Sequence, residues 1–259
     1  MLEELFKRFR QRDRLALSRL VTLAARGEQV LAIRESLRDY TAARPATTAH
    51  SPLTTHHSPL TIAITGSGGV GKSSLIGRLI ELLRSHGQTV AVLACDPQSS
   101  LTGGALLGDR IRMPSRPEDD GVFIRSLAVP SGHEGIAPNL DLMIRLLAEY
   151  GFDLVLVETS GIGQTDTAVR RVADVVVLLL QPETGDELQW QKAGVLEVAD
   201  VVVVHKADLP GAERVEAQVR DMVNLPGCRA VPVLRASASK GQGMEELWHA
   251  IESFTQNDE

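Results

Sequence analysis

The sequence predicts a doubly wound α/β domain, a mostly parallel sheet flanked by helices, with an N-terminal helical segment ahead of it. Three observations carry this reading. From residue 61 onward, short apolar runs alternate with stretches of helical character. Several runs are continuous and β-branched, as strands buried on both faces of a parallel sheet are. The first run passes straight into a glycine-rich turn, Gly66 to Ser73, and then into a helical stretch.

Residues 1–40 read as helix, because Leu5, Phe6, Leu15, Leu17, Leu20, Val21 and Leu23 recur at roughly helical spacing without an intervening proline. Residues 41–60 are rich in Thr, Ser, Ala and Pro and read as a flexible linker; His56 and His57 fall there with no further metal ligands beside them. The remaining 61–259 form the main domain. Strands are expected at 61–65, 89–95, 122–127, 153–158, 174–180, 200–205 and 230–237, and helices at 73–86, 139–149, 187–198, 212–223 and 243–254.

Composition narrows the function classes. A net charge of −6 argues against a nucleic-acid surface as the default. Two cysteines, Cys95 and Cys228, cannot build a disulfide framework, which fits a reducing cytoplasm. No apolar run approaches the roughly 18 residues of a membrane helix. The basic, amphipathic start resembles a transit peptide, but Glu3 and Glu4 speak against one.

Gly66-Ser67-Gly68-Gly69-Val70-Gly71-Lys72-Ser73 is the full pattern G-x-x-x-x-G-K-S/T between a strand and a helix, with Ser74 next in line. Glycines let successive backbone N–H groups turn toward phosphates, and the following helix directs its positive end at them. The chain is therefore read as a P-loop nucleotide triphosphatase. Lys72 is expected on the β- and γ-phosphates and Ser73 on Mg2+. Ser67 stands where the septum-positioning and chromosome-partitioning ATPases carry a second lysine, which counts against that branch.

The base is read from His205-Lys206-Ala207-Asp208, at the point where GTPases place N-K-x-D. The Asp208 carboxylate can accept from guanine N1–H and the 2-amino group, donors that adenine lacks, while the Lys206 stem packs over the base. His205 departs from the usual Asn; its ring can still donate to a neighbouring loop or the base. Ser237-Ala238 resembles the loop whose backbone contacts the guanine oxygen. GTP/GDP with Mg2+ is the expected ligand. Asp96 and Glu158, at carboxyl ends of strands, are the candidate acids for Mg2+ or the attacking water, with Asp109 a weaker third and Gly161 the γ-phosphate sensor. Lys72, Glu158 and Asp96 form the expected catalytic set. Gln164 does not follow Gly161 directly, so intrinsic hydrolysis is expected at the slow rate of an unassisted GTPase, on the order of 10⁻⁴ to 10⁻² s⁻¹.

An ordered series then reaches a family: Asp96 to Ser100, Gly103 to Met113, Phe123-Ile124-Arg125, Glu158 to Gln164 and Gly185 to Gln189. It resembles the MeaB/ArgK-type GTPases, chaperones of adenosylcobalamin-dependent acyl-CoA mutases such as methylmalonyl-CoA mutase. The resemblance runs from about residue 12 to the end and includes Asp13 to Leu23. Thr102 to Met113, Arg125 to Ala128 and Glu158 to Thr167 look closer to the GTPase domain of fused isobutyryl-CoA mutase, and Gly185 to Asp200 closer to the free-standing chaperones. The resemblance implies a switch that gates cofactor loading, protection or reactivation of a methylmalonyl-, isobutyryl- or 2-hydroxyisobutyryl-CoA mutase. Its switch loops fall at about 96–113 and 158–167. A third mobile loop falls at about 181–192 with Gln189 and Lys192, a stretch whose Pro182 and Glu183 otherwise signal a helix start. Only 16 residues follow Gly243, which puts a homodimer built on the family's C-terminal extension in doubt and shifts expected mutase contact toward residues 1–40. Two other classes compete: a metal-insertion GTPase of the hydrogenase or urease maturation type, for which Cys95, His86 and His133 are the nearest ligands, and a small-molecule kinase or transport ATPase, which the guanine motif weighs against.

Overall fold

The computed structural model describes residues 2–42, 59–97, 118–130, 135–160, 166–182, 195–225 and 229–256. Most of the linker (43–58), Cys228 and the expected helix start at 187–194 lie outside the described residues.

Seven strands form one sheet: β1 (Leu60–Gly66), β2 (Val90–Pro97), β3 (Val122–Val129), β4 (Leu154–Glu158), β5 (Val175–Leu180), β6 (Val201–Val204) and β7 (Val233–Arg235). Their order is β3-β2-β4-β1-β5-β6-β7, and every described pair is parallel. The continuous runs are buried along their whole length in β4, β5 and β6, as a sheet covered on both faces requires. Period-two alternation sends Ile62 and Ile64 of β1 to one face and Ala63 to the other.

The helices are α1 (Leu2–Arg10), α2 (Arg14–Ala25), α3 (Val30–Ala42), α4 (Lys72–Ser85), α5 (Leu140–Tyr150), α6 (Asp166–Val169), α7 (Val195–Val198), α8 (Ala212–Val223) and α9 (Met244–Gln256). On one face α1, α2, α3 and α5 share a core with Ala63, Leu93, Val155 and Val176, and α8 continues that face over β5 to β7. On the other face α4 and α9 pack on Ile62, Val92, Leu156 and Val177.

The single helix expected over 1–40 is three helices. Arg12 adopts φ 63°, and Asp13 restarts the chain by accepting the N–H groups of Leu15 and Ala16 at 2.8 and 3.2 Å. Gly27 (φ 71°) and Gln29 (φ 55°) mark the second break. Leu15, expected on the apolar face, is 68% exposed, while Phe9 is buried against Tyr150 with ring centroids 5.8 Å apart.

Strand edges also shift. Three aspartates expected inside strands instead precede them and accept a neighbour's backbone N–H: Asp153 from Thr89 at 2.8 Å, Asp174 from Thr61 at 2.7 Å and Asp200 from Val176 at 2.8 Å. β7 is shorter than the expected 230–237 because Pro232 has no N–H to give the ladder; its carbonyl still accepts from Val202 at 2.9 Å. No helix among the described residues is long and apolar enough to cross a membrane.

Candidate functional site: a nucleotide site at the carboxyl edge of the sheet

β1 delivers the chain to the phosphate loop at Gly66. A Cβ there would meet the Leu179 carbonyl oxygen of β5 at 2.5 Å, so only glycine lets the loop leave between the two strands. Gly71 (φ 101°) is the N-cap of α4 and offers no side-chain cap, leaving the helix's first N–H groups facing the loop. Gly68 and Gly69 are exposed on the loop, whereas the Val70 side chain is fully buried and anchors it. The Lys72 ammonium donates to the carbonyls of Gly66 and Ser67 at 2.9 and 3.1 Å, which places it over the mouth of the loop.

The metal side is built from strand alternation. Ala94 of β2 lies level with Glu158 of β4, so Asp96, two residues on, points to the same face as Glu158, toward the start of α4. The Ser73 hydroxyl donates to the Glu158 carboxylate at 2.9 Å, and Ser73, Asp96 and Glu158 are all buried. Hydroxyl and carboxylate oxygens gathered at a helix N-terminus fit a hard cation such as Mg2+. Thr159 donates to the Thr65 hydroxyl at 3.1 Å and binds the Ile64 carbonyl through its N–H, fixing the end of β4 beside the loop. Asp109 and Gly161 lie outside the described residues, as do 98–113 and 161–165 of the expected switches and 183–192 of the third loop.

Cys95 lies beside both acids but is buried, and that burial pushes its thiol up to about 12. Asp96 and Glu158 push the same way. Its Sγ accepts from the Ala137 N–H at 3.4 Å and packs in the core shared with α5. His133 lies outside the described residues, and His86 approaches Glu245 at 3.9 Å instead.

At the other end, a cavity of about 760 Å³ opens among Gly71, Ser74, Arg78, Lys206, Asp208, Ser237 and Ala238. That is the size range of small-ligand sites. Lys206 adopts φ 55°, which turns the chain out of β6 toward the cavity. The Ser237 hydroxyl donates to Asp208 at 2.5 Å and holds the exposed carboxyl below the usual aspartate range. Lys206, Asp208, Ser237 and Ala238, four positions read from two separate motifs, therefore line one cavity with the phosphate loop. Two further residues join them: one outside any motif, and one that departs from its motif's usual residue. Arg78, in α4, donates to the Ala238 carbonyl at 2.8 Å. His205 has its Nδ1 at 2.8 Å from the Val70 carbonyl. The spacing of α4 from Lys72 gives the only sequence hint for Arg78.

The family model described as Methylmalonyl Co-A mutase-associated GTPase MeaB matches residues 24–258. The chain belongs to the MeaB family. This MeaB-family GTPase is 35% identical over 267 residues to the GTPase ArgK of Escherichia coli, across 98% of its own length and 76% of that protein. It is 36% identical over 200 residues to the mitochondrial methylmalonic aciduria type A homolog of Mus musculus, covering 74% of its own length and 48% of that protein. Among solved structures, the LAO/AO transport system kinase aligns with a TM-score of 0.71 and 26% identity, over 98% of this chain and 75% of that one. The hydrogenase maturation factor HypB of Archaeoglobus fulgidus aligns with a TM-score of 0.57 at 19% identity, over 88% of this chain and 98% of that one, and shares the fold.

Proposed function

We propose that this MeaB-family GTPase is a GTP-driven chaperone of an adenosylcobalamin-dependent acyl-CoA mutase, acting in the cytoplasm and gating cofactor loading, protection or reactivation. The observation that supports it most is the placement of a phosphate end and a base end on one cavity edge in a chain whose family is named for mutase association.

In this reading Gly68, Gly69, Val70, Gly71 and Ser74 give backbone donors to the phosphates, and Lys72 transfers its ammonium from the loop carbonyls to the β- and γ-phosphate oxygens. Ser73, Asp96 and Glu158 would hold Mg2+, directly or through water, with Asp109 in reserve. When bound, Mg2+ neutralises charge building on the phosphate oxygens. Glu158 already accepts a hydrogen bond from the Ser73 hydroxyl, so the same carboxylate can orient a water or metal ligand at the loop. Gly161 would sense the γ-phosphate and pass its loss to the switch at 158–167. Lys206 covers the base, Asp208 reads guanine, and the Ser237-Ala238 backbone meets the guanine oxygen.

The test is cofactor transfer. Apo-mutases for methylmalonyl-, isobutyryl- and 2-hydroxyisobutyryl-CoA are each mixed with adenosylcobalamin and this protein, and bound cofactor is followed by absorbance. The expected result is loading that differs between GTP, GDP and no nucleotide for one of them. Loading that is independent of nucleotide for all three contradicts the chaperone role.

A further inference from the structure

His205 is 3% exposed and stands at the junction of the three loops that make the nucleotide site. Its Nδ1 lies 2.8 Å from the Val70 carbonyl, which can only accept, so Nδ1 carries the proton. Its Nε2 lies 3.3 Å from the Ala238 N–H, which can only donate, so Nε2 is the bare acceptor. The two bonds therefore select one neutral tautomer. The ring also occupies the place a side chain at Gly71 would fill: a Cβ there would fall 2.6 Å from both Cε1 and Nδ1. Its own backbone N–H is held by Leu180 at 2.7 Å, which fixes the ring against the sheet.

We propose that His205 is a positioning residue that locks the phosphate loop to the base-reading loop only while its imidazole is neutral, so that protonation uncouples the two and weakens nucleotide binding. Protonated Nε2 would present N–H to N–H at Ala238 and drive that loop away from the cavity, taking the Ser237 contact to Asp208 with it. Lys206 and Asp208, on its own loop, are the charged groups that act on the ring; Arg78 and Glu81 of α4 line the same cavity, and Lys240, beyond Ser237, acts on Asp208. Burial lowers the His205 pKa below the ordinary imidazole value; Lys206 acts in the same direction, and the Val70 bond and Asp208 oppose it. The transition is thus set on the acid side of about pH 6.5. An asparagine keeps an amide donor for Val70 but has no titrating group.

The proposal rests on guanine occupying this cavity, and the experiment separates the two. GDP affinity with Mg2+ is measured by calorimetry from pH 7.5 to 5.0 for the wild type, His205→Asn and His205→Ala, with thermal unfolding of each nucleotide-free protein confirming that it is folded. The terminal phosphate of GDP titrates in the same window in every protein, so the difference between proteins is the readout. The expected wild-type affinity falls at least about fivefold more than that of His205→Asn on acidification, the scale of a buried hydrogen bond reversed. At pH 7.5 His205→Ala loses about tenfold and His205→Asn restores most of it. Parallel pH profiles for wild type and His205→Asn overturn the proposal alone, even if His205→Ala does not fold. Absence of GDP binding by the wild type at pH 7.5 overturns the guanine reading and the proposal together.

Discussion

Ser73 and Glu158 stand 85 residues apart and share one hydrogen bond of 2.9 Å. Lys72, next to Ser73, is nearly as buried, and its ammonium has the loop carbonyls as interim partners. Lys72→Ala is expected to weaken GTP binding by at least about 30-fold in a calorimetric titration, since losing one partner of a buried charge contact costs about 2 kcal/mol or more. In the proposed reading of the base, Asp208 presents two acceptor oxygens at the other end, one of them tied to Ser237. Asp208→Asn turns one acceptor into a donor facing guanine donors, and the preference for GTP over ATP in competition binding is expected to fall roughly 100-fold or more. An Asp208→Asn protein that keeps its preference contradicts the base assignment. These residues were legible because motif spacing marks them without knowledge of the fold. His205 was legible only as a departure from a pattern. Its role depends on Val70 and Ala238 folding back onto it and on the missing Cβ of Gly71, and none of these is a sequence neighbour.

At the scale of elements, the aspartates before β4, β5 and β6 each accept a backbone N–H at or just before the start of a neighbouring strand, so they fix register at the edge opposite the site. Asp200 is the most elaborate. Arg170 and Arg229 both bind its carboxylate, which is 1% exposed. A sequence run such as DVVVLLL shows where a strand lies but not that its first residue has left the ladder to bond sideways. Helix breaks have a similar cause: Asp13 reads as an ordinary helical position until its carboxylate caps the turn and Arg8 grips it at 2.6 Å. The N-terminal segment is a layer of the sheet's own core. Phe9→Ala, which empties the pocket beside Phe6 and Tyr150, is therefore expected to lower the stability of one shared unfolding transition by about 3 to 5 kcal/mol in chemical denaturation. An unchanged transition for the sheet would mean that α1 to α3 fold apart from it.

Across the whole molecule, the parallel order brings the ends of β1, β2, β4, β6 and β7 to one edge, and the phosphate-loop, acid and base-motif residues within the described residues meet there. The fold class was legible because buried apolar runs recur from β1 onward with helical stretches between most of them. Strand order was not, since contacts such as β4 inserting between β2 and β1 are decided by packing over long sequence separations. The expected switch loops at 96–113 and 158–167 start at Asp96 and Glu158, two of the candidate Mg2+ ligands. A switch built this way should hydrolyse GTP slowly alone and answer to its partner. The most direct measurement is the steady-state GTP hydrolysis rate with and without each adenosylcobalamin-dependent acyl-CoA mutase. A clear rise with one mutase, abolished by Lys72→Ala, is the expected result; an unchanged rate with methylmalonyl-, isobutyryl- and 2-hydroxyisobutyryl-CoA mutases alike would contradict a GTP-driven mutase chaperone.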